Sequence, residues 1–405
     1  MLKPADVVVI GSGGLGAGTA FYLAKRRAGT VVLIDRHEIG SQTSPRAAGM
    51  VSCMRKGELM TRLIKVAAAA IPRFTEETGQ PLDWVRSGSL KVARRTADAE
   101  VIEADIARGR RLGLDVEQIT LFEAHRLNPF FETEGVAAVM RVGDDMYFDP
   151  AQAAVGFARG AAARGVTLLP GTAVTSVRIA SGRVEAVETE KGAIATPVVV
   201  DAAGAWTRQV AAASGIHIPL VPTMQQLIVT ETVPAARPDL PMVRIMDAAV
   251  YMRPCQGGFL WGVYEEEPTF FDMDALSPGF HIADLKLDAE ILWRAAEDVK
   301  AQLPILLKAK VREHRGGIPT MTADGHHIVG PVHGAKGFFV LGGCNVAGLS
   351  ISPALGDAVA AWITEGEPPF DLSAMSITRF GQEVQSEAWL RKNAAWQYRH
   401  FYGAV

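Results

Sequence analysis

A strand-like run, Val7-Val8-Val9-Ile10, leads straight into Gly11-Ser12-Gly13-Gly14-Leu15-Gly16. A helical stretch follows from Ala17 to Arg27, then a second apolar run, Val31-Val32-Leu33-Ile34, which ends on Asp35. This is a βαβ unit with glycines at the G-x-G-x-x-G spacing and an acid roughly 20 residues further on. Each glycine has a separate duty. Gly11 allows the tight turn out of the strand, Gly13 lets a pyrophosphate approach the backbone, and Gly16 lets the helix pack close to the sheet. The helix N-terminus offers free N–H groups and a partial positive charge to phosphates. Ser12, Gly14 and Leu15 complete the loop. Asp35, with Arg36 beside it, is placed to accept hydrogen bonds from an adenosine ribose. The unit commits the chain to a doubly wound, Rossmann-like α/β domain holding a dinucleotide.

NAD and FAD share this fingerprint, so the first unit leaves the choice open. The segment after Asp35 narrows it. Ser41-Gln42-Thr43-Ser44-Pro45-Arg46-Ala47-Ala48-Gly49 is small, polar and glycine-ended. Such a loop can run along an extended cofactor and offer donors to its phosphates and ribityl chain.

Length and composition agree with a globular enzyme of two packed domains: 405 residues, 48% hydrophobic, 21% charged. A net charge of -3, with both signs mixed along the chain, gives no basic stripe for nucleic acid. Cys53, Cys255 and Cys344 are too dispersed for a disulfide framework or a zinc site, so no metal is expected and a reducing compartment is. The N-terminus enters its first strand almost at once, which leaves no room for a leader and points to the cytoplasm. Phe338 to Gly356 carries no charge and is long enough to cross a bilayer, yet it contains Gly342-Gly343, Gly348 and Pro353. It reads better as a buried strand, a glycine turn and a helix from about Ser352. Asp149-Pro150 opens a helix (Ala151 to Arg164). Gly165 to Leu169 and Val174 to Val177 read as strands, and Val184 to Glu188 and Ile194 to Val200 are expected to continue that sheet.

Further motifs carry a resemblance. Glu77-Thr78-Gly79-Gln80 precedes Ser87-Gly88-Ser89-Leu90. Val198-Val199-Val200-Asp201-Ala202-Ala203-Gly204-Ala205-Trp206 forms an A-A-G-x-W strand end. Leu227-Ile228-Val229-Thr230-Glu231 is followed by Tyr251-Met252-Arg253-Pro254 and Gly258-Phe259-Leu260-Trp261-Gly262-Val263-Tyr264-Glu265. Gly317-Ile318-Pro319 runs to Asp324 and Gly330-Pro331, and Arg379-Phe380-Gly381 opens the tail. In this order the motifs resemble the D-amino-acid-oxidase-like superfamily of FAD enzymes, in its sarcosine and dimethylglycine dehydrogenase branch, from about residue 5 to the end.

The resemblance implies a discontinuous FAD-binding domain (1–84, 149–218 and 316–372) and a substrate domain with a mostly antiparallel sheet (85–148 and 219–315). A helical tail (373–405) follows. It implies FAD contacts from Ser44, Arg46, Ala48, Gly49, Val174, Ala203, Gly204, Trp206, Gly317, Asn345, Gly348, Leu349 and Ser350, beside the first loop. The turn 345–350 would offer N–H groups to the flavin's C2 carbonyl side. Tyr251, Arg253 and Tyr264 would serve the substrate. The implied chemistry is oxidation of a C–N bond in a secondary or tertiary amine such as sarcosine, dimethylglycine or hydroxyproline. A hydride passes to flavin N5 and the imine then hydrolyses.

Departures from the family pattern sharpen these expectations. Relatives that bond FAD covalently use a histidine where Arg46 stands, or a cysteine where Gly317 stands, so the FAD is expected to be noncovalent. Leu260 occupies the position of a lysine that assists oxygen reduction, which leans toward a dehydrogenase passing electrons to a protein or quinone rather than to O2. A lysine that holds the substrate carboxylate aligns with Ser350, leaving Arg253, Arg55 and Arg315 as candidate cations. One histidine of the pair His326-His327 is placed to face the flavin. The chain stops at Val405, so the folate-binding domain of sarcosine and dimethylglycine dehydrogenases is expected to be absent. Related stand-alone chains are catalytic subunits of hetero-oligomers that oxidise opines, hydroxyproline or glycine. An NAD-dependent dehydrogenase and a non-catalytic flavoprotein subunit are the remaining alternatives.

Overall fold

A computed structural model describes residues 2–277 and 279–402. The first strand, Val7–Ile10, lies inside a six-stranded sheet, hydrogen-bonded in parallel to Val31–Ile34 on one side and Val198–Asp201 on the other. The strand order is Ile328–Pro331, Phe338–Gly342, Val198–Asp201, Val7–Ile10, Val31–Ile34, Thr167–Leu169. Only the Ile328–Pro331 edge runs antiparallel to its neighbour. Val7–Ile10 and Val31–Ile34 are buried on both faces, which is why each reads as an unbroken apolar run.

Helix Gly14–Lys25 packs between Pro150–Ala162 and Gly348–Glu365. The crossing with the last of these is backbone on backbone. A Cβ at Gly356 would sit 2.9 Å from the carbonyl carbon of Gly18, and one at Gly18 would sit 3.2 Å from Ser352 O. The helix starts at Gly348, one turn earlier than expected, and carries Pro353 inside it. Proline leaves the carbonyl four residues back without its donor. Here the Ser352 hydroxyl supplies the missing bond, donating to Leu349 O at 2.9 Å. No helix among the described residues is long and apolar enough to cross a membrane.

The opposite face is covered by a three-stranded antiparallel meander, Val174–Ala180, Arg183–Thr189 and Gly192–Ala195. The single sheet expected through residues 165 to 200 is thus divided: Thr167–Leu169 and Val198–Asp201 join the parallel sheet, and the strands between them form the meander. Two local causes separate the pieces. Pro197 has no N–H to give to a ladder. Arg183 and Glu185 are exposed while Val184 and Ala186 are buried, the period-two signature of a sheet with one wet face.

The second large element is an eight-stranded sheet ordered Val311–Gly317, Gln225–Thr230, Gly258–Val263, Val250–Cys255, Met242–Ile245, Ser89–Ala93, Ala138–Val142, Val116–Ile119. Its pairings are antiparallel except that between Met242–Ile245 and Ser89–Ala93. The hairpin 250–263 shows the two-faced logic. Val250, Met252, Phe259, Trp261 and Val263 belong to a core shared with Leu292 and Ala296 of helix Ala289–Asp298. Tyr251, Leu260 and Tyr264 face the nucleotide side. Helix Glu387–Arg399, capped by Ser386, returns the tail there with Tyr398 buried.

Candidate active site

A long cleft runs over the C-terminal ends of the parallel strands, where open α/β sheets bind ligands. The empty space along it, counted out into the solvent at its open mouth, is about 1490 Å³. One wall is the glycine loop. Gly11 has φ of 95°, and a Cβ there would collide with the carbonyl of Ala202. A Cβ at Gly16 would collide with Gly11 O, and one at Gly14 would sit 2.5 Å from Leu349 Cδ1. Gly13 differs. Its only near neighbour is Ser44 Oγ, 3.2 Å from where a Cβ would lie, so its side opens onto the cleft. Ser44 Oγ also accepts from Gly14 N at 2.9 Å, tying the 41–49 loop to the helix start.

Asp35 closes the far end of the loop. Its Oδ2 accepts from Ser12 N (2.7 Å) and Ser12 Oγ (2.6 Å), and its Oδ1 from His37 N (2.8 Å). Burial pushes this carboxyl above its ordinary range, and those donors oppose the shift. Arg36 lies over the Trp206 ring, 5.4 Å from its centroid. Together with Val174, Ala203 and Thr172 these residues wall a second hollow beyond Asp35. Gly204 lines the main cleft beside Trp206.

The 41–49 loop is braced from within and behind. Arg46 Nη1 donates to Ser41 O (2.6 Å) and Gln42 O (2.5 Å). Gly49 has φ of 68°, and a Cβ there would collide with Phe148 O. Arg253 Nε donates to Ala48 O (2.5 Å) and Nη1 to Pro254 O (2.7 Å), with the guanidinium 4.7 Å from the Tyr147 ring. Arg253 is buried behind the loop and does not reach the cleft wall. Gly317 and Thr43 touch so closely that a Cβ at 317 would lie 2.9 Å from Thr43 Cγ2.

At the other wall the helix beginning at Gly348 aims its N-terminus at the cleft, with Gly348, Leu349 and Ser350 lining it. Ser350 Oγ donates to Ala347 O at 3.0 Å. Asn345 is spent on the turn instead. Its Oδ1 accepts from Thr322 N (3.0 Å) and its Nδ2 donates to Gly343 O (2.6 Å), holding a turn in which both 345 and 346 have positive φ.

Over the cleft the large sheet presents Gln225, Leu227, Tyr251 and Tyr264, joined by Arg55, Phe401 and Tyr402. Tyr264 is the centre of an aromatic cluster, its ring 5.7 Å from Tyr251, 5.4 Å from Tyr398, 4.5 Å from Phe401 and 5.3 Å from Tyr402. Arg55 lies over Phe401 at 4.8 Å. Its guanidinium has no hydrogen bond or ion pair among the described residues, and burial pulls its pKa down. Its backbone carbonyl is pinned by Arg108 Nη2 at 2.9 Å.

Of the three cations offered by the sequence, Arg55 alone thus faces the cleft unpaired. Arg315 lies beside Glu313 and reaches toward Ala47 O. Leu260 is fully buried and absent from the cleft wall, and no lysine among the described residues lines it. His327 is buried with neither ring nitrogen partnered, and His326 sits at the surface beside Asp324; neither lines the cleft. Among the described residues no cluster suited to a metal ion occurs. Gln225, Phe401 and Tyr402 also line the cleft, and the sequence gives no sign of them. A glutamine opening an apolar strand and an aromatic pair after a helix carry no local mark of a site.

The family profile described as "FAD dependent oxidoreductase" matches residues 6–362. Mitochondrial sarcosine dehydrogenase of Mus musculus is 30% identical over 99% of this chain and 44% of its own. Mitochondrial dimethylglycine dehydrogenase of Rattus norvegicus is 28% identical over 93% of this chain and 45% of its own. The chain therefore spans about half the length of these curated relatives. Among solved structures, L-proline dehydrogenase from P. horikoshii superposes with a TM-score of 0.84 and 25% identity, covering 94% of this chain and 98% of that one.

Proposed function

The chain belongs to the FAD-dependent oxidoreductase family, and on that premise we propose that it oxidises the C–N bond of a secondary or tertiary amino acid, with the flavin held noncovalently. The observation that carries the substrate class is the unpaired, half-buried Arg55 guanidinium, which lies over Phe401 and lines the same cleft as Tyr251. A cation withdrawn from water without a partner is costly. A substrate carboxylate would relieve that cost through a charge-assisted pair. The sarcosine and dimethylglycine of the relatives' names are both N-methylated amino acids, each carrying one carboxylate and one alkylated nitrogen.

The glycine cradle suits the cofactor. Gly13 opens onto the cleft where a pyrophosphate needs room, Asp35 stands at a ribose position, and the helix N-terminus at Gly348 faces the opposite end. When bound, FAD supplies the hydride acceptor. The chain's residues do the rest. Arg55 and Tyr251 hold the carboxylate and so fix which carbon is presented. Tyr264, Phe401 and Tyr402 exclude water and favour the neutral amine, since desolvation disfavours its charged form. Arg46 and Gly317 provide no nucleophile for a covalent flavin bond. No lysine among the described residues lines the cleft, and a substrate carboxylate would occupy Arg55, which supports transfer to an acceptor other than O2.

The test is an anaerobic titration of the purified flavoprotein with sarcosine, dimethylglycine, proline and glycine, before and after acid precipitation. Bleaching by one of them, with flavin released to the supernatant, is expected. Arg55→Met should raise KM for that substrate about 10- to 100-fold, the worth of a hydrogen bond to a charged group. Flavin that no amino acid bleaches overturns the enzymatic reading in favour of a flavin-holding subunit, and flavin that stays with the pellet overturns the noncovalent one.

A further inference from the structure

We propose that Tyr398 and Gln225 form a hydrogen-bond relay that fixes the Tyr251 hydroxyl as a proton donor into the cleft, which makes the C-terminal helix a positioning element of the substrate site. The proposal rests on the carboxylate reading above and extends it to residues remote in sequence.

The direction of every bond in the relay is determined. Gln225 Nε2 lies 3.0 Å from Val263 O. A backbone carbonyl can only accept, so this end of the amide is the nitrogen and the flip is settled. Gln225 Oε1 then faces Tyr398, whose hydroxyl lies 2.5 Å from it and 3.1 Å from Met224 O. Both of these partners are acceptors, so Tyr398 must donate. The second N–H of the Gln225 amide has Tyr251 Oη at 3.2 Å and Gln226 O at 3.4 Å, and Tyr251 is the nearer acceptor. Tyr251 therefore accepts from Gln225, and its own proton has no acceptor among the described residues. Tyr251 is nearly wholly buried and lines the cleft, so the cleft is the open direction for that proton.

Two further features keep the arrangement in place. Burial pushes the pKa of Tyr251 and of Tyr398 upward, so both phenols remain protonated and able to donate. Gly262, paired with Tyr251 across the hairpin, makes room for the ring. A Cβ at 262 would sit 2.5 Å from the Tyr251 oxygen.

A hydroxyl whose oxygen already accepts from Gln225 and whose proton is free favours an acceptor over a donor. With Arg55 in the same cleft, it forms half of a clamp for a carboxylate. Tyr398 touches no substrate atom in this scheme; it acts through Gln225 and Tyr251. Without Tyr398 the Gln225 carbonyl loses its donor, the amide is free to turn, and the Tyr251 proton can turn back to it.

The test uses the holoenzyme and two unreactive probes. Methoxyacetate is an oxygen isostere of N-methylglycine, and methoxyacetamide is its neutral counterpart. Each is titrated against the flavin spectrum of the native protein, Tyr398→Phe, Tyr251→Phe and the double variant. Methoxyacetate should bind the native protein more tightly than the amide. Tyr251→Phe and Tyr398→Phe should each weaken it about tenfold. The double variant should bind no more weakly than Tyr251→Phe alone, because the relay acts only through that hydroxyl. A merely structural loss would add instead. If Tyr398→Phe fails to retain flavin, Gln225→Met takes its place in the same cycle with the same expected result. Native affinity in the relay variant, or additive losses, overturns the relay while leaving the carboxylate reading intact. Equal binding of the two probes to the native protein overturns the carboxylate reading and the relay with it.

Discussion

Single atoms decide much of this site. Gly13 is the position where the missing side chain faces ligand space rather than protein. Gly13→Val should therefore abolish flavin retention while leaving the fold cooperative; a variant that purifies yellow would remove the glycine loop from the cofactor site. Glu265 is a second such position. Gln226 Nε2 donates to its Oε1 at 3.0 Å, its Oε2 is buried without a partner, and burial pushes its pKa from 4.5 up to about 7. The folded state thus holds this proton more tightly than the unfolded chain does. The resulting stabilisation is complete below about pH 4.5 and is lost as pH rises toward about 7. Asp201, pushed up from 3.8 to about 8, adds a loss of the same sign over a wider window. Denaturant midpoints measured from pH 4.5 to 8 should fall with pH, and Glu265→Gln should flatten part of that slope. An unchanged slope in the variant would show that Glu265 ionises freely in the fold.

Among the elements, the helix 348–365 shows how a local rule is broken and repaired. Pro353 and the small residues around it signal a late helix start, but Ser352 replaces the lost backbone bond and the helix begins at Gly348. That earlier start brings the helix N-terminus to the cleft. Ser352→Ala leaves the buried Leu349 carbonyl without this donor and should cost about 1–3 kcal/mol in denaturant unfolding. A loss below about 0.5 kcal/mol, the usual scatter of neutral substitutions, would mean that the carbonyl finds another partner. The meander 174–195 carries a different lesson. Its strands are legible one by one from their apolar residues, but which sheet they join depends on the turns at Ser181-Gly182 and Lys191-Gly192, where 181, 182 and 192 all take positive φ. A list of apolar runs cannot supply that topology.

Across the whole molecule the two sheets meet at the 41–49 loop, and Arg253 is the joint. It stands on the hairpin of the large sheet and donates to Ala48 O of a loop some 200 positions earlier. This guanidinium is part of the scaffold: Arg253→Met should weaken flavin retention and leave the ratio of carboxylate to amide affinity unchanged. A selective loss of carboxylate affinity would instead return Arg253 to the substrate. The central βαβ unit, the hairpin 250–263 and the buried strand 338–342 are written in consecutive residues. Their causes are local, in a φ only glycine tolerates, a period of two, or an apolar run buried on both faces, and local causes survive in a sequence. The proposed clamp of Arg55, Tyr251, Gln225 and Tyr398 has no such signature. Its members come from a loop, two strands and a tail helix, and nothing along the chain distinguishes Arg55 from Arg253. Which arginine turns into the cleft, and which phenol keeps a proton to give, depends on packing between elements far apart in sequence. There the unpaired donor exists only once the fold has closed around it.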